Sequence, residues 1–223
     1  MNLDLSPLWI SLKISLTATL ITFIGGVIIA YGIYNYQGKW RWLLEGFFLI
    51  PLVLPPTIVG FILLIFLGKH GIIGSTLSQW GITLVFSWYG GVITAVVMGF
   101  PIMFRSTLGA FEQIDSNLLD SARVEGAKEI AVFSYIVIPL AMRGILSGIV
   151  LTFARILGEF GATLMVAGNI PRQTQTIPMA IYFAVQAGEI QEAWFWAIAI
   201  LILSLGMIYL LNLLFRISII HDS

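Results

Sequence analysis

Residues 120–139 read DSARVEGAKEIAVFSYIVIP: Asp120-Ser121-Ala122, Gly126 after three residues, and Ile136-Val137-Ile138-Pro139 after nine more. Acids gather around this stretch, since Glu112, Asp115, Asp120, Glu125 and Glu129 are five of the chain's eleven. The segments on either side are apolar enough to cross a bilayer, so a charged protrusion stands between spans where a soluble partner can grip it. Asp115, Ser116 and Asn117 each suit a helix start, because a short side-chain oxygen accepts an orphan backbone N–H there. Leu118 to Glu125 follows as a short helix with Leu118, Leu119 and Ala122 as its apolar stripe. Gly126 ends it in a left-handed turn, and Ala127 to Ile136 resumes as a second short helix that stops before Pro139. A helix lying on a membrane surface usually carries a basic polar face. Here acids are in excess, which favours docking of a partner.

Composition sets the solvent. The 223 residues are 59% hydrophobic and 10% charged with a mean hydropathy of +0.99, too much apolar surface for one soluble core and well suited to a bilayer. An all-α integral membrane protein is expected. Eleven basic and eleven acidic residues leave no net charge to attract nucleic acid. With no cysteine, disulfides, thiolate metal sites and cysteine nucleophiles are excluded together. Met1 to Pro7 carries Asp4 and no positive leader, and the apolar run behind it is longer than a signal peptide's core, so it reads as a retained first span.

A membrane-spanning helix takes about 20 mostly apolar residues. That ruler predicts five spans: Trp9 to Tyr34, Leu43 to Leu67, Leu84 to Phe104, Ile145 to Val166 and Trp194 to Phe215. Ile177 to Ala187 is short and holds Pro178 and Gln186, which predicts a re-entrant or surface helix, and a sixth span if it inserts. The chain reads as one membrane domain over residues 1–223, with a charged loop at 109–139 and a polar loop at 168–192. Lys39, Arg41, Arg105, Arg123, Lys128, Arg143 and Arg216 fall on one side, and only Lys69 and Arg172 on the other. The positive-inside rule then places the N-terminus outside, and the C-terminus and charged loop inside.

The spacing over residues 120–139 resembles the cytoplasmic motif of ATP-binding-cassette importer permeases: glutamate-alanine-alanine, three residues, glycine, nine residues, isoleucine, one residue, leucine-proline. Ala122, Gly126, Ile136 and Pro139 match, while Asp120, Ser121 and Ile138 replace the glutamate, first alanine and leucine. The resemblance implies the type I importer permease fold, with a coupling helix lodged in a cleft of a separate ATPase. Asp120, Ser121, Ala122, Gly126, Ile136 and Pro139 become the coupling residues. Pro51 to Thr57, Ala154 to Thr163, Gly168 to Pro171 and Thr174 to Pro178 are similar to molybdate importer permeases, and the runs at 158–162 and 168–171 are shared with sulfate and tungstate permeases. The resemblance further implies a prokaryotic inner (plasma) membrane, a homodimer and an extracytoplasmic oxyanion-binding protein. It also implies two cytoplasmic ATPase subunits that use ATP and Mg, with no cofactor held by this chain.

Several intramembrane residues are candidates for the path. Ser11, Ser15, Ala18, Thr22 and Gly25-Gly26 recur at helical spacing and read as a packing stripe, with Lys13 snorkelling to the outer interface. Pro51, Pro55 and Pro56 should bend or break the second span, making Pro55, Pro56 and Thr57 either a path lining or a packing kink. Thr152, Arg155, Glu159 and Thr163 follow i, i+3, i+7, i+11 and predict one helix face. Arg155 and Glu159, four apart, can pair as a clasp or as an anion gate; a carboxylate beside the path would repel an oxyanion, which favours the clasp. Gly148, Gly158 and Gly161 would allow close helix approach. Asn169, Arg172, Gln173 and Thr174 form the candidate binding-protein contact, with Glu189 and Glu192 adding charge.

Catalysis lacks its parts: His70 and His221 accompany no nucleophile, and neither a His-Glu-x-x-His nor a Gly-x-Ser-x-Gly motif occurs. Gly32 to Lys39 misses a phosphate-binding loop because its glycines are one residue too far apart and Trp40 replaces the hydroxyl. The resemblance implies an ATP-driven oxyanion importer by alternating access, molybdate first, with a sulfate or tungstate permease or an ATP-independent channel or carrier as alternatives.

Overall fold

Pro7 lies in the first turn of the 30-residue opening helix, where a missing N–H breaks no intrahelical bond, and the mostly apolar stretch behind it holds no further proline and a single charge, Lys13. The computed structural model describes residues 4–220, with side chains throughout except at 211, 212 and 214–220. The His221 reading lies outside the described residues, as does the side chain of Arg216.

In chain order the helices are α1 (Ser6–Asn35), α2 (Arg41–Val53), α3 (Pro56–Leu67), α4 (Ile72–Ser78), α5 (Trp88–Glu112), α6 (Ser116–Val124) and α7 (Glu129–Val132). A π-helical turn (Phe133–Val137), α8 (Ile138–Leu157), α9 (Gly161–Ala167), α10 (Ile177–Gln186) and α11 (Ile190–Ile220) complete the chain. Among the described residues four helices are long and apolar enough to cross a membrane: α1, α5, the unbroken run from Glu129 to Leu157, and α11. A fifth span forms if α2 and α3, bent by 107° at Leu54–Pro55, count as one. The predicted break in the second span is present, and its cause is local: Pro55 and Pro56 remove consecutive donors and hold Leu54 extended at ψ 142°.

Three expectations are corrected. The segment after Gly126 does not stop before Pro139; it runs through it, from Glu129 to Leu157. A proline in an α-helix presses its ring on the carbonyl four residues back. Here the chain widens into a π-turn, with the Ile138 N–H reaching back five residues to Phe133 O, and Pro139 enters the first turn of α8. The fourth span ends at Leu157 rather than Val166, because Gly158, Glu159 and Phe160 are non-helical before α9 begins. The polar excursion is shorter than 109–139, since α5 extends to Glu112.

Packing follows the small residues. α1 lies along α5, α5 along α8, and α3 against α9. The stripe on α1 is buried at Ser11, Ser15, Ala18, Thr22 and Gly26, as the packing reading requires. A Cβ at Gly60 would lie 2.8 Å from Ala162 Cα, and one at Gly148 would lie 2.9 Å from Ser106 Cβ, so these crossings admit only glycine. Gly158 meets nothing but its own helix's carbonyls, at 3.8 Å and beyond, and marks the end of α8 rather than a crossing. The largest core cluster joins Val27, Ala30 and Ile33 of α1 with Phe104, Leu108 and Phe111 of α5, Leu119 of α6, and Val132 to Ile145 beyond the elbow. α10 buries Ile177 and Ala180 with Trp196 of α11.

Candidate functional site

The charged protrusion is a helix, an elbow and a second helix. Asp115, rather than Ser116 or Asn117, caps α6: its Oδ1 accepts from Asn117 N–H at 2.9 Å. At the other end Gly126 has φ +89°, a left-handed conformation that disfavours a Cβ. Its N–H donates to Arg123 O at 3.0 Å, and the Ala127 N–H donates to Ala122 O at 3.0 Å. Those two bonds are the paired closure of a Schellman turn, which satisfies carbonyls that would otherwise be orphaned. Leu119 anchors α6 in the core and Ala122 packs beside it, while Leu118 is exposed.

Arg123 spans the elbow. Its Nε donates to Glu129 Oε1 at 2.8 Å, Nη2 to Glu129 Oε2 at 3.3 Å and Nη1 to Asp120 Oδ1 at 2.9 Å. Its hydrogen bonds to these carboxylates, that to Glu129 first, raise the guanidinium's pKa above its ordinary value. Tyr31 of α1 reaches Glu129 with its hydroxyl at 3.5 Å and packs on Phe133 with ring centroids 4.4 Å apart. Thus the elbow is fixed to α1 as well as to α5. Ser121 donates to Asn117 O at 2.8 Å, and Asp120, Ser121 and Gly126 stay exposed.

Apolar side chains that the sequence pattern did not single out stand on this protrusion. Val124, Ile130 and Tyr135 are 88%, 80% and 82% exposed. Their signal was faint, because in a polar stretch a lone Val or Tyr carries no periodicity. Nearby, Arg41 pairs with Glu45 at 2.9 Å and Glu112 at 2.5 Å, and Arg105 lies 3.9 Å and 3.7 Å from the same two carboxylates. This network ties α2 to α5 at the elbow end. Pro139 lines a cavity of about 770 Å³ there, with Arg105, Asp115 and Arg143, and Ile136 packs against the core.

The membrane candidates separate by burial. Pro55, Pro56 and Thr57 are exposed at the break between α2 and α3. Thr152 is fully buried, and its Cγ2 would be 3.1 Å from a Cβ at Gly99 of α5, so it packs between helices. Glu159 and Thr163 are buried beside Ser11, Ser15 and Thr176. The predicted single face over residues 152–163 does not exist, because α8 ends between Arg155 and Glu159. The pair itself forms across that end, Arg155 Nη1 to Glu159 Oε2 at 2.8 Å. A Cβ at Gly161 would lie 3.4 Å from Pro56 Cβ and 3.6 Å from Thr57 Cγ2, which brings the break after α8 against the break before α3.

At the opposite end, Thr174 is buried and holds its own loop: its hydroxyl donates to Gly168 O at 2.8 Å and accepts from Ile170 N–H at 3.0 Å. It is a turn residue rather than a surface contact. Asn169 is half-buried, and Arg172 and Gln173 are exposed. Arg172 adopts φ +62° and donates from Nε to Asp4 Oδ2 at 2.9 Å. That hydrogen bond, followed by one from the Ser6 backbone N–H, holds the Asp4 carboxyl below its ordinary pKa.

Known proteins resemble this chain in sequence and in fold. The molybdenum transport system permease protein ModB of Escherichia coli (strain K12) is 43% identical over 205 residues, 91% of this chain and 88% of that one. The protein of the same description from Haemophilus influenzae is 38% identical over 193 residues, 85% and 83% of the two chains. A crystal structure of a bacterial ABC transporter involved in the import of the acidic polysaccharide alginate superposes with a TM-score of 0.79 at 19% identity, covering 96% of this chain and 79% of that one. The family model described as binding-protein-dependent transport system inner membrane component matches residues 22–218, and the chain belongs to that family.

Proposed function

We propose that this chain is the membrane subunit of an ATP-driven importer whose cargo is molybdate. The observation that carries the reading is the 43% identity to the Escherichia coli molybdenum permease along nearly the whole of both chains. Geometry supports the mode of action: a capped, glycine-hinged helix braced by Arg123 presents Val124, Ile130 and Tyr135 to a partner. Such a knob of exposed apolar groups on a stiff base fits a cleft on a separate ATPase, and Asp120, Ser121, Ala122, Gly126, Ile136 and Pro139 form or support it. ATP and Mg belong to that partner.

Two copies enclose the path, each bound to one ATPase, and a binding protein delivers the anion at the opposite end near Asn169, Arg172 and Gln173. Arg41, Arg105, Arg123 and Lys128 gather at the elbow end, which supports a cytoplasmic elbow with the N-terminus outside and the C-terminus inside. Pro55, Pro56 and Thr57 lie on the path. Thr152, Glu159 and Thr163 support it from within the protein.

Competitive uptake tests the reading. Liposomes holding the permease and its cognate ATPase, supplied with binding protein and ATP, are expected to accumulate molybdate and tungstate ahead of sulfate. Accumulation of sulfate alone would contradict the choice of cargo.

A further inference from the structure

We propose that Arg155 is the side chain that meets the oxyanion inside the membrane, aimed by a hidden Glu159; the proposal rests on the import reading above. The pair is lopsided. Glu159's side chain is 2% exposed and Arg155's is 29% exposed, so the protein hides the acid and presents the cation. Glu159 is also fully used: Oε2 takes Arg155 Nη1 at 2.8 Å and Oε1 takes the Ala162 N–H at 3.0 Å. Both bonds stay within residues 155–162, joining the end of α8 to the first turn of α9. Among the described residues the pair therefore reaches no helix beyond the α9 that directly follows α8.

Repulsion of an oxyanion by Glu159 was the objection to a path role. Burial answers it, because an approaching anion encounters the guanidinium before the carboxylate. A guanidinium has five N–H donors, and among the described residues Arg155 commits Nη1 alone. Its planar fork matches two oxygens of a tetrahedral dianion.

The backbone around Arg155 is unsuited to lipid. Arg155 sits one turn before non-helical Gly158, Glu159 and Phe160, and that break lies against the break at Leu54–Pro55 through Gly161, Pro56 and Thr57. Irregular backbone at membrane depth is tolerated where it is buried in protein or lines a water-filled cavity, and an exposed charge on a span has the same requirement. Here both occur together, with Pro55, Pro56 and Thr57 exposed.

The absence of cysteine permits a direct test in the complete transporter reconstituted in liposomes. The thiol of Arg155→Cys should react with water-soluble methanethiosulfonates, and saturating molybdate should slow that reaction. A cationic aminoethyl adduct should raise uptake roughly tenfold over the unmodified thiol, the scale of one charge-assisted contact, while an anionic sulfonate adduct should not. Should Arg155→Cys fail to assemble, Thr57→Cys on the adjoining break retains Arg155 and should show the same protection. A thiol that is silent to these reagents, or labelling indifferent to molybdate, would overturn the proposal. Absence of ATP-dependent uptake by the unsubstituted transporter would instead refute the import reading.

Discussion

Gly126 carries a backbone conformation, φ +89°, that an L-residue reaches at a cost of about 1–2 kcal/mol. Asparagine tolerates that region better than β-branched residues. Gly126→Asn is therefore expected to retain coupling, and Gly126→Val to lose most binding-protein-stimulated ATP hydrolysis with the spans still inserted. Equal activity of the two variants would show that the left-handed turn is dispensable. Asp4 offers a pH reading at the other end. Its folded pKa is lowered by Arg172, so the contact is fully present above the unfolded value of about 3.9 and is lost as pH falls through the folded value. Hydrogen exchange of residues 168–175, corrected for intrinsic rates, should rise over that interval in the natural chain, and should already be raised at neutral pH in Asp4→Asn. Gly126 was legible because a glycine between two polar helical stretches has few other reasons to be there. The burial of Glu159 was not, since four-residue spacing looks the same whether or not a helix continues through it.

At the level of elements, Arg123 braces α6 against α7 through both carboxylate oxygens of Glu129. Exposed ion pairs stabilise by about 0–1 kcal/mol, so Arg123→Glu should barely change thermal stability. It should nonetheless lower stimulated ATP hydrolysis, because a slack elbow absorbs the partner's push. Adding Glu129→Arg restores the opposite charges and should recover coupling; no recovery would mean that Arg123 acts by another contact. The break between α2 and α3 could be read directly from Pro55-Pro56, because two consecutive prolines leave no helical alternative. The continuity of α7 into α8 could not be read: Pro139 announced a stop, and a π-turn flanked by buried Val132 and Val137 let the helix pass. The short α4 between Gly71 and Gln79 was missed for lack of length.

Over the whole molecule, α1, α5 and α8 form a packed bundle, α3 leans on α9, and α11 turns Leu201, Ile202, Leu205 and Ile208 outward. Hydropathy reported this membrane class reliably, because about 20 apolar residues in a row have few other solutions. It overstated the fourth span, where the apolar run continues past a backbone break that hydropathy does not sense. On the proposed function the elbow receives work at one end, and the adjoining breaks near Thr57 and Arg155 form the path. On the proposed function, flux through this chain is driven by a separate ATPase acting on the elbow. Molybdate accumulation in sealed vesicles containing the permease and binding protein, compared with and without the cognate ATPase and ATP, tests it most directly. Uphill accumulation should occur only when both are present, whereas equal flux in their absence would contradict the account.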